Sequence, residues 1–236
     1  MAVDVPVALL GYGTVGAAVN RLLEEGADEI QRATGHRLRV TRALVRDLDA
    51  ERGYPAADGI LTTDFPSIAE DDSIALVAEV MGGLEPTGEY VLRLLRAGKP
   101  VLVAGPAEDN LDLKHVIVGW KDAREARRAV QDGLPLLKLA DRVTVVEIAA
   151  NEDLTDARAR TEDVVDWLAR HGVAASARAV SGATEEAAQL GDIARELGAG
   201  LVVGGAYGHT RFREWVLGGV TRDFLLHPTR CSLVSH

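Results

Sequence analysis

The sequence of 236 residues lacks several features on which whole classes of protein depend. It contains a single cysteine, Cys231, so an internal disulfide and the zinc sites built on paired cysteines are excluded. None of its apolar runs approaches the roughly 18 residues of a membrane-spanning helix, and the first residues, MAVDVP, have neither the basic nor the apolar region of a signal peptide. We therefore expect a cytoplasmic protein that has no membrane partner.

Positive charge is also in deficit. The 26 lysines and arginines are outnumbered by 36 aspartates and glutamates, which gives a formal net charge of −10. Such a protein repels phosphate backbones at long range, so nucleic acid is not an expected partner. An anionic ligand must instead be held by local backbone groups or by single basic side chains.

The usual patterns of metal-binding and catalytic residues are missing as well. The six histidines have neither H-x3-H nor H-E-x-x-H spacing, there is no G-x-S-x-G turn, and no identifiable base accompanies the cysteine. We predict no metal site and assign no catalytic residue.

The chain does contain a regular alternation of apolar strands and amphipathic helices, which indicates a parallel α/β architecture. Its length allows two compact halves, and the stretch KPVLVAGPAEDN at residues 99–110 divides them. The run KPVLVA is typical of a buried strand, Gly105 and Pro106 end it, and a short acidic link follows. We expect a first domain over residues 1–104, a linker over 105–112 and a second domain over 113–236.

A strand followed by a glycine-rich turn, VPVALLGYGTVG, opens the first half. Gly11, Gly13 and Gly16 have G-x-G-x-x-G spacing, in which the first glycine permits a tight turn, the second lets a pyrophosphate approach the backbone, and the third lets the helix pack on the strand. The start of that helix, with Thr14 and Val15, would then face the phosphates. Apolar residues at helical spacing support the helix: Val15, Val19, Leu22 and Leu23. A tight turn that binds nothing is the alternative.

The second strand, LRVTRALVRDL, ends where a dinucleotide fold normally has an acid that binds the ribose 2′-hydroxyl of NAD. Arg46 stands there instead, and Asp47 follows it. A guanidinium suits a 2′-phosphate, which favours NADP over NAD. The stretch GADEIQRATGHR makes the distance from Gly16 longer than the usual roughly 20 residues, so the alternative is that Arg46 is only a solvated surface residue.

A further strand–helix–strand unit closes the first half, after the polar stretch ERGYPAADGILTTDFPSIAEDDS, in which we expect turns. The strand SIALVAEVMGG ends in Gly82 and Gly83, the helix EPTGEYVLRLLRAG follows, and KPVLVA is the last strand. Open α/β sheets bind ligands at the carboxyl ends of their strands. We therefore assign Gly82 and Gly83 to the ligand crevice.

The runs VALLGYGTVG, ALVRDL, ILTTD, EVMGGLEPTGEYVLRLLRAGK and VLVA resemble the amino-terminal, nicotinamide-binding part of homoserine dehydrogenase, from about Val7 to Ala104. The resemblance implies a half that binds NADP or NAD. In that family the last strand leads into a Thr-Ala-Asn-Lys segment and then into a substrate and dimerisation region with a catalytic lysine and aspartate. Here Ala104-Gly105-Pro106 stands where that segment would begin. We therefore expect the cofactor-binding half without the residues of hydride transfer.

Strands and helices alternate again after the linker, and residues 113–236 resemble a universal stress protein domain, above all in VIVGWKDAREARRAV and LVVGGAYGHTRFREWVLGGVTRDFLLH. The resemblance implies a five-stranded α/β fold, a homodimer, and ATP or AMP bound by an aspartate after the first strand and a G-x2-G-x9-G-Ser/Thr loop. The corresponding candidate residues in this chain are Lys121, Gly205, Gly208, Gly218, Gly219, Val220 and Thr221.

Two of these residues depart from the family pattern. Lys121 stands at the aspartate position, and Gly219 replaces the hydroxyl residue of the loop. One hypothesis is that Lys121 attracts a phosphate while the loop backbone and the helix start in GVTRDFLL bind it. The alternative is that the glycines serve only turns and packing.

The strand KPVLVA fits both families, so the chain resembles a fusion made at a shared strand, by natural recombination or by engineering. In the first half, the strand order second, first, third, fourth leaves KPVLVA at an edge, and the second half leaves CSLVSH at an edge. We predict two Rossmann-like parallel α/β halves, joined by antiparallel pairing of these two strands into one sheet of about nine strands.

Three functions are compatible with the sequence. The first, which we favour, is a protein that binds small-molecule nucleotides, with NADP or NAD in the first half and ATP or AMP in the second, and no complete dehydrogenase site. The second is a folded scaffold that binds nothing. The third is a partial homoserine dehydrogenase that needs a catalytic domain from another chain, and it ranks last because no residue here is placed to move the substrate proton.

Overall fold

The computed structural model describes residues 3–81, 86–103, 111–182, 186–206 and 231–236. The chain divides into two compact units, unit 1 over Met1–Val103 and unit 2 over Ala104–His236. In each unit, strands and helices alternate along most of the described chain, and the neighbouring strands of the unit are parallel.

Unit 1 alternates strands and helices as its hydrophobic pattern predicts. The strand order is β3-β2-β1-β4-β5, and neighbouring strands are parallel. The predicted order of second, first, third and fourth strand is confirmed, with one short strand added beyond the second. The elements are β1 (Val3–Leu10), α1 (Thr14–Glu25), α2 (Ala27–Thr34), β2 (His36–Leu44), β3 (Leu61–Thr62), α3 (Pro66–Ala69), β4 (Leu76–Glu79), α4 (Thr87–Arg96) and β5 (Val101–Val103).

The added strand, β3, lies in the stretch where the sequence predicted only turns. Ala43 pairs with Leu61 and Leu44 pairs with Thr62, so two residues extend the sheet beyond β2. The alternation of apolar and polar residues that marks a strand needs about four residues to be visible, which is why the pattern missed β3.

Helix α1 packs on the sheet through small residues. Gly16 and Ala17 are buried, whereas Val15 and Leu22, two of the four apolar residues that indicated the helix, are 55% and 65% exposed. The other two, Val19 and Leu23, pack against the core around β1. The backbone of α1 therefore lies close to the sheet at Gly16 and Ala17, and its largest apolar side chains contribute less to the buried face.

Unit 2 has the five-stranded α/β arrangement that the second resemblance implies. Its strand order is β10-β9-β6-β7-β8, with all neighbouring strands parallel. The central strand β6 is a continuous apolar run, typical of a parallel sheet covered on both faces. The elements are β6 (Val116–Trp120), α5 (Arg124–Leu137), β7 (Val143–Ala149), a 3-10 turn (Asn151–Asp153), α6 (Leu154–Arg170), β8 (Ala175–Ser181), α7 (Glu186–Glu196), β9 (Leu201–Gly205) and β10 (Cys231–Ser235).

The predicted fold class, α/β with two Rossmann-like parallel halves, is confirmed. The described strands number ten, the two-residue strand β3 included, where the sequence predicted about nine. Within its own unit, each of β5 and β10 is the terminal strand, which is the position that the predicted antiparallel pairing requires. Among the described residues, no helix combines the length and the hydropathy needed to cross a membrane.

Candidate functional site

The glycine turn after β1 lies at the carboxyl ends of three adjacent strands. The backbone N–H of Gly11 donates to the carbonyl of Leu44, the last residue of β2, at 3.0 Å. On the other side, a Cβ on Gly11 would lie 3.0 Å from Cγ of Met81, two residues beyond β4. Gly11 also has a φ of +103°, so both its conformation and its neighbours select glycine. The turn thus occupies the crevice that an open parallel sheet offers to a ligand.

Gly16 and Gly13 have opposite surroundings. A Cβ on Gly16 would collide with the carbonyl oxygen of Gly11, so this glycine lets α1 lie directly against the turn. Gly13 is exposed, and a Cβ on it would meet nothing within 4 Å. The open side of the turn is therefore the space over Gly13.

The first turn of α1 borders that space. Gly13 is the N-cap, no side chain caps the helix, and the first turn contains no acidic residue. Thr14 and Val15 are both exposed. The first N–H groups of a helix have no partner within it and carry partial positive charge. An anion over Gly13 would therefore find backbone donors there.

Arg46 lies on the same edge of the sheet as the glycine turn, because Leu44 pairs in register with Leu10. Its side chain is exposed and has no hydrogen bond or ion pair with the other described residues. The carboxylate of Asp47 turns into its own loop, where it accepts the backbone N–H of Asp49 at 2.9 Å. The long spacing between the turn and Arg46 is accounted for by helix α2, which precedes β2.

Arg52 fixes the loop that follows Arg46. Its guanidinium donates to the backbone carbonyls of Leu48 at 3.1 Å and of Ala50 at 2.5 Å, and also to that of Asp47. Three carbonyls of one loop thus accept hydrogen bonds from a single guanidinium. These bonds fix the backbone that follows Arg46.

A side-chain network that the sequence did not predict links the glycine turn to this loop. Asn20, buried in α1, donates one amide hydrogen to the hydroxyl of Tyr12 at 2.9 Å and the other to a carboxylate oxygen of Glu24 at 3.1 Å. The hydroxyl of Tyr54 donates to the second carboxylate oxygen of Glu24 at 2.6 Å. Tyr12 belongs to the turn and Tyr54 follows Arg52, so the network ties together the two segments that face the crevice.

The two tyrosines of this network are held in their neutral form. Burial raises the pKa of Tyr12, and the hydrogen bond from Asn20 offsets this only in part. The hydrogen bond to the carboxylate of Glu24 raises the pKa of Tyr54. One signal in the sequence pointed to the network: Asn20 lies four residues after Gly16, so a polar side chain stands on the face of α1 that packs on the sheet.

Gly82 and Gly83 lie outside the described residues. Just before them, the backbone N–H of Met81 donates to the carboxylate of buried Glu79, the last residue of β4, at 2.7 Å. The chain therefore turns sharply where β4 ends, beside the glycine turn.

The second predicted site falls only partly within the described residues. Lys121 follows β6 and Gly205 ends β9, and these strands are neighbours, so the structure brings both residues to one edge of the sheet. The other predicted residues of this site lie outside the described part of the chain: Gly208, Gly218, Gly219, Val220 and Thr221.

An ion pair closes the described part of this second crevice. The ammonium of Lys121 lies 3.2 and 3.3 Å from the two carboxylate oxygens of Glu186, the first residue of α7. The crevice beside the pair has a volume of about 30 Å³. Ligand pockets usually measure about 300–1,000 Å³. The described residues therefore form only a small part of the predicted site.

Gly205 has a packing role that is independent of any ligand. A Cβ on it would lie 2.6 Å from the backbone nitrogen of Ala126 in α5. Only glycine lets β9 end this close to the first turn of that helix. The glycine of the sequence motif is therefore explained here by the contact between strand and helix.

Together, the strand–turn–helix geometry and the parallel sheet define unit 1 as a Rossmann-type domain with a dinucleotide-type glycine turn. Residues 11–115 match the family model described as "Homoserine dehydrogenase, NAD binding domain". The predicted resemblance of the first half to this part of homoserine dehydrogenase is confirmed.

Two curated relatives show how far the match extends. Homoserine dehydrogenase from Bacillus subtilis is 30% identical over 153 residues, which cover 58% of this chain and 34% of that protein. Homoserine dehydrogenase from Corynebacterium glutamicum is 41% identical over 103 residues, which cover 44% of this chain and 23% of that protein. The chain thus spans about a third or less of the length of these relatives.

A solved structure, that of a universal stress protein from Archaeoglobus fulgidus, has a TM-score of 0.59 with this chain. The alignment covers 99% of this chain and 87% of that protein, at 15% sequence identity. At this identity the likeness concerns the fold alone. As a likeness of fold, the predicted similarity to universal stress proteins is confirmed.

The contact between Gly16 and Gly11 generates a first prediction. Gly16→Ala should lower the free energy of unfolding by about 2–3 kcal/mol, because the new methyl group must displace the Gly11 carbonyl. Gly13→Ala is the matched control: its methyl group enters open space, so we expect a loss below about 1 kcal/mol, the usual cost at an N-cap. Urea denaturation measures both, and equal losses in the two variants would contradict the assigned packing role.

The tyrosine network generates a second prediction. In an ultraviolet titration of tyrosinate, Tyr12 and Tyr54 should ionise above the usual pKa of about 10, and Tyr12→Phe and Tyr54→Phe should each remove one late step. Because both pKa values are raised by folding, the hydroxyls stabilise the protein below the pKa of unfolded tyrosine, and this contribution is lost as the pH rises through the folded-state values. A titration in which neither Phe variant removes a late step would contradict the network.

Proposed function

We propose that this chain is a nucleotide-binding protein whose first unit binds NADP at the glycine turn. The proposal rests above all on the open backbone at Gly13. That residue is exposed at the start of α1, while Gly16 packs the helix tightly beneath it. A pyrophosphate over Gly13 would meet backbone atoms directly, with no side chain between them.

Backbone groups suit this ligand because the rest of the protein repels it. The formal net charge of −10 disfavours anions at long range, so binding needs short-range donors. The uncapped start of α1 supplies N–H groups and the positive end of the helix dipole. In the absence of acidic residues in the first turn, no side chain competes with the phosphates for those donors.

The preference for NADP over NAD rests on Arg46. Its guanidinium is exposed at the end of β2, beside the glycine turn, and has no partner among the described residues. Asp47, the neighbouring acid, is already occupied by the backbone N–H of Asp49. A 2′-phosphate would therefore meet the guanidinium of Arg46, whereas one oxygen of the Asp47 carboxylate already accepts a backbone N–H.

Binding of ATP or AMP by the second unit stays a prediction, because most of the residues predicted to bind it lie outside the described part of the chain. The exposed ion pair between Lys121 and Glu186 lies at the edge of the sheet where the predicted site begins. A dehydrogenase reaction is also left out, because residues 113–236 resemble a different family from the one that supplies the cofactor half. The homodimer that the resemblance to universal stress proteins implies stays a prediction.

The NADP site is tested by calorimetry on the full chain. We expect saturable binding of NADP to the wild type and none to Gly13→Val, because the valine side chain enters the space over the turn, where an added Cβ meets nothing within 4 Å. Gly191→Val is the matched control, since Gly191 also has open surroundings but lies in α7 of unit 2. Absence of NADP, NAD and ATP binding in the wild type would leave the scaffold hypothesis in its place.

The role of Arg46 is tested by comparing the two cofactors. Arg46→Ala should weaken NADP binding by about tenfold or more and change NAD binding little, since a hydrogen bond to a charged group contributes about 1.5–3 kcal/mol. Arg37→Ala removes the same charge from an exposed residue near the start of β2, opposite Asp4, and should leave both affinities unchanged. Equal weakening of NADP and NAD by Arg46→Ala would refute the assigned selectivity.

A further inference from the structure

A second cavity in unit 2 lies between helices α5 and α6 and the end of β6. Its volume is about 440 Å³, within the range of about 300–1,000 Å³ that is usual for small-molecule sites. It shares only Trp120 with the small crevice beside Lys121. The cavity is therefore a separate place on the molecule, and nothing in the glycine motifs accounts for it.

Aromatic and apolar groups make up part of its lining. Trp120 comes from the last position of β6 and Trp167 from α6. Val130 and Val164, one from each helix, are only 3% and 7% exposed and form an apolar wall. The ring of His171 stacks on one face of the Trp167 indole, with the ring centroids 3.9 Å apart, so a cation can approach only the other face. The valines favour an apolar ligand body.

The two arginines of the lining are already neutralised. Arg127 forms an ion pair with Asp122. Arg160 donates from Nε to a carboxylate oxygen of Glu147 at 2.9 Å and adds a second bond from Nη2. Glu147 is a buried residue of β7, so this pair is held by the sheet itself. Neither guanidinium therefore offers an uncompensated positive charge to a ligand.

One carboxylate of the lining remains uncompensated. Asp163, on α6, is exposed and has no hydrogen bond or ion pair with the other described residues. It lies one turn before Trp167 on the same helix, so its carboxylate and the indole share one face. Because both arginines are paired, the carboxylate of Asp163 is the charge in the described lining that a ligand would have to neutralise.

We propose that this cavity binds a small organic cation with an aromatic or branched apolar body. The ammonium group would lie between the carboxylate of Asp163 and an indole face, and the body would pack against Val130 and Val164. The net charge of −10 on the protein favours a cation at long range as well. The proposal is independent of both nucleotide sites, because it uses neither the glycine turn nor Lys121.

Benzyltrimethylammonium is a suitable probe, titrated into the full chain and followed by calorimetry. We expect saturable binding of this cation, and at least tenfold weaker binding of benzyl alcohol and benzoate, which have a similar body but carry no charge or a negative one. Trp167→Leu should weaken binding of the probe by about tenfold and Asp163→Asn by about fivefold, the usual sizes of a cation–π contact and of an exposed ion pair.

Asp166→Asn is the matched control for charge, because Asp166 is an exposed acid of the same helix that does not line the cavity. Its affinity for the probe should equal that of the wild type, and circular dichroism should show the same helix content in all three variants. The proposal is overturned if the wild type shows no saturable binding at millimolar probe, if benzoate binds as well as the cation, or if Asp166→Asn weakens binding as much as Asp163→Asn.

Discussion

The close contact between Gly16 and the carbonyl of Gly11 is the constraint on which unit 1 depends. It brings the first turn of α1 against the end of β1, so that the turn can lie between the ends of β2 and β4. Only then is Gly13 left with open space above it at the start of a helix. The same three glycines therefore form a packed joint on one side and an exposed backbone surface on the other, which is what a pyrophosphate requires.

The carboxyl-terminal edge of the parallel sheet differs between the two units. In unit 1 the carboxyl ends of the strands lead to an open backbone, and a hydrogen-bonded network through Asn20 and Glu24 holds the neighbouring segments. In the described part of unit 2, the ion pair of Lys121 and Glu186 occupies the corresponding edge, and Gly205 is used for packing. A glycine pattern thus has a different meaning in each unit, because the adjacent side chains differ.

Much of the fold could be predicted from the sequence, because strands and helices of ordinary length carry their own periodicity. The strand order of unit 1 and the five strands of unit 2 are of this kind. What could not be predicted depends on contacts between distant residues: Tyr54 and Glu24 are 30 positions apart, and Lys121 and Glu186 are 65 apart. The strand β3 could not be predicted for a local reason: its two residues are too few to show an alternation of apolar and polar side chains.

The most direct test of the account is a titration of the isotope-labelled chain with NADP, followed by the chemical shifts of its backbone amides. The account predicts that the amides of Gly11, Gly13 and Gly16, together with that of Arg46, shift in a saturable way while those of β6 to β9 do not. Shifts confined to unit 2, or none at all, would contradict the claim that the glycine turn of unit 1 is a working nucleotide site.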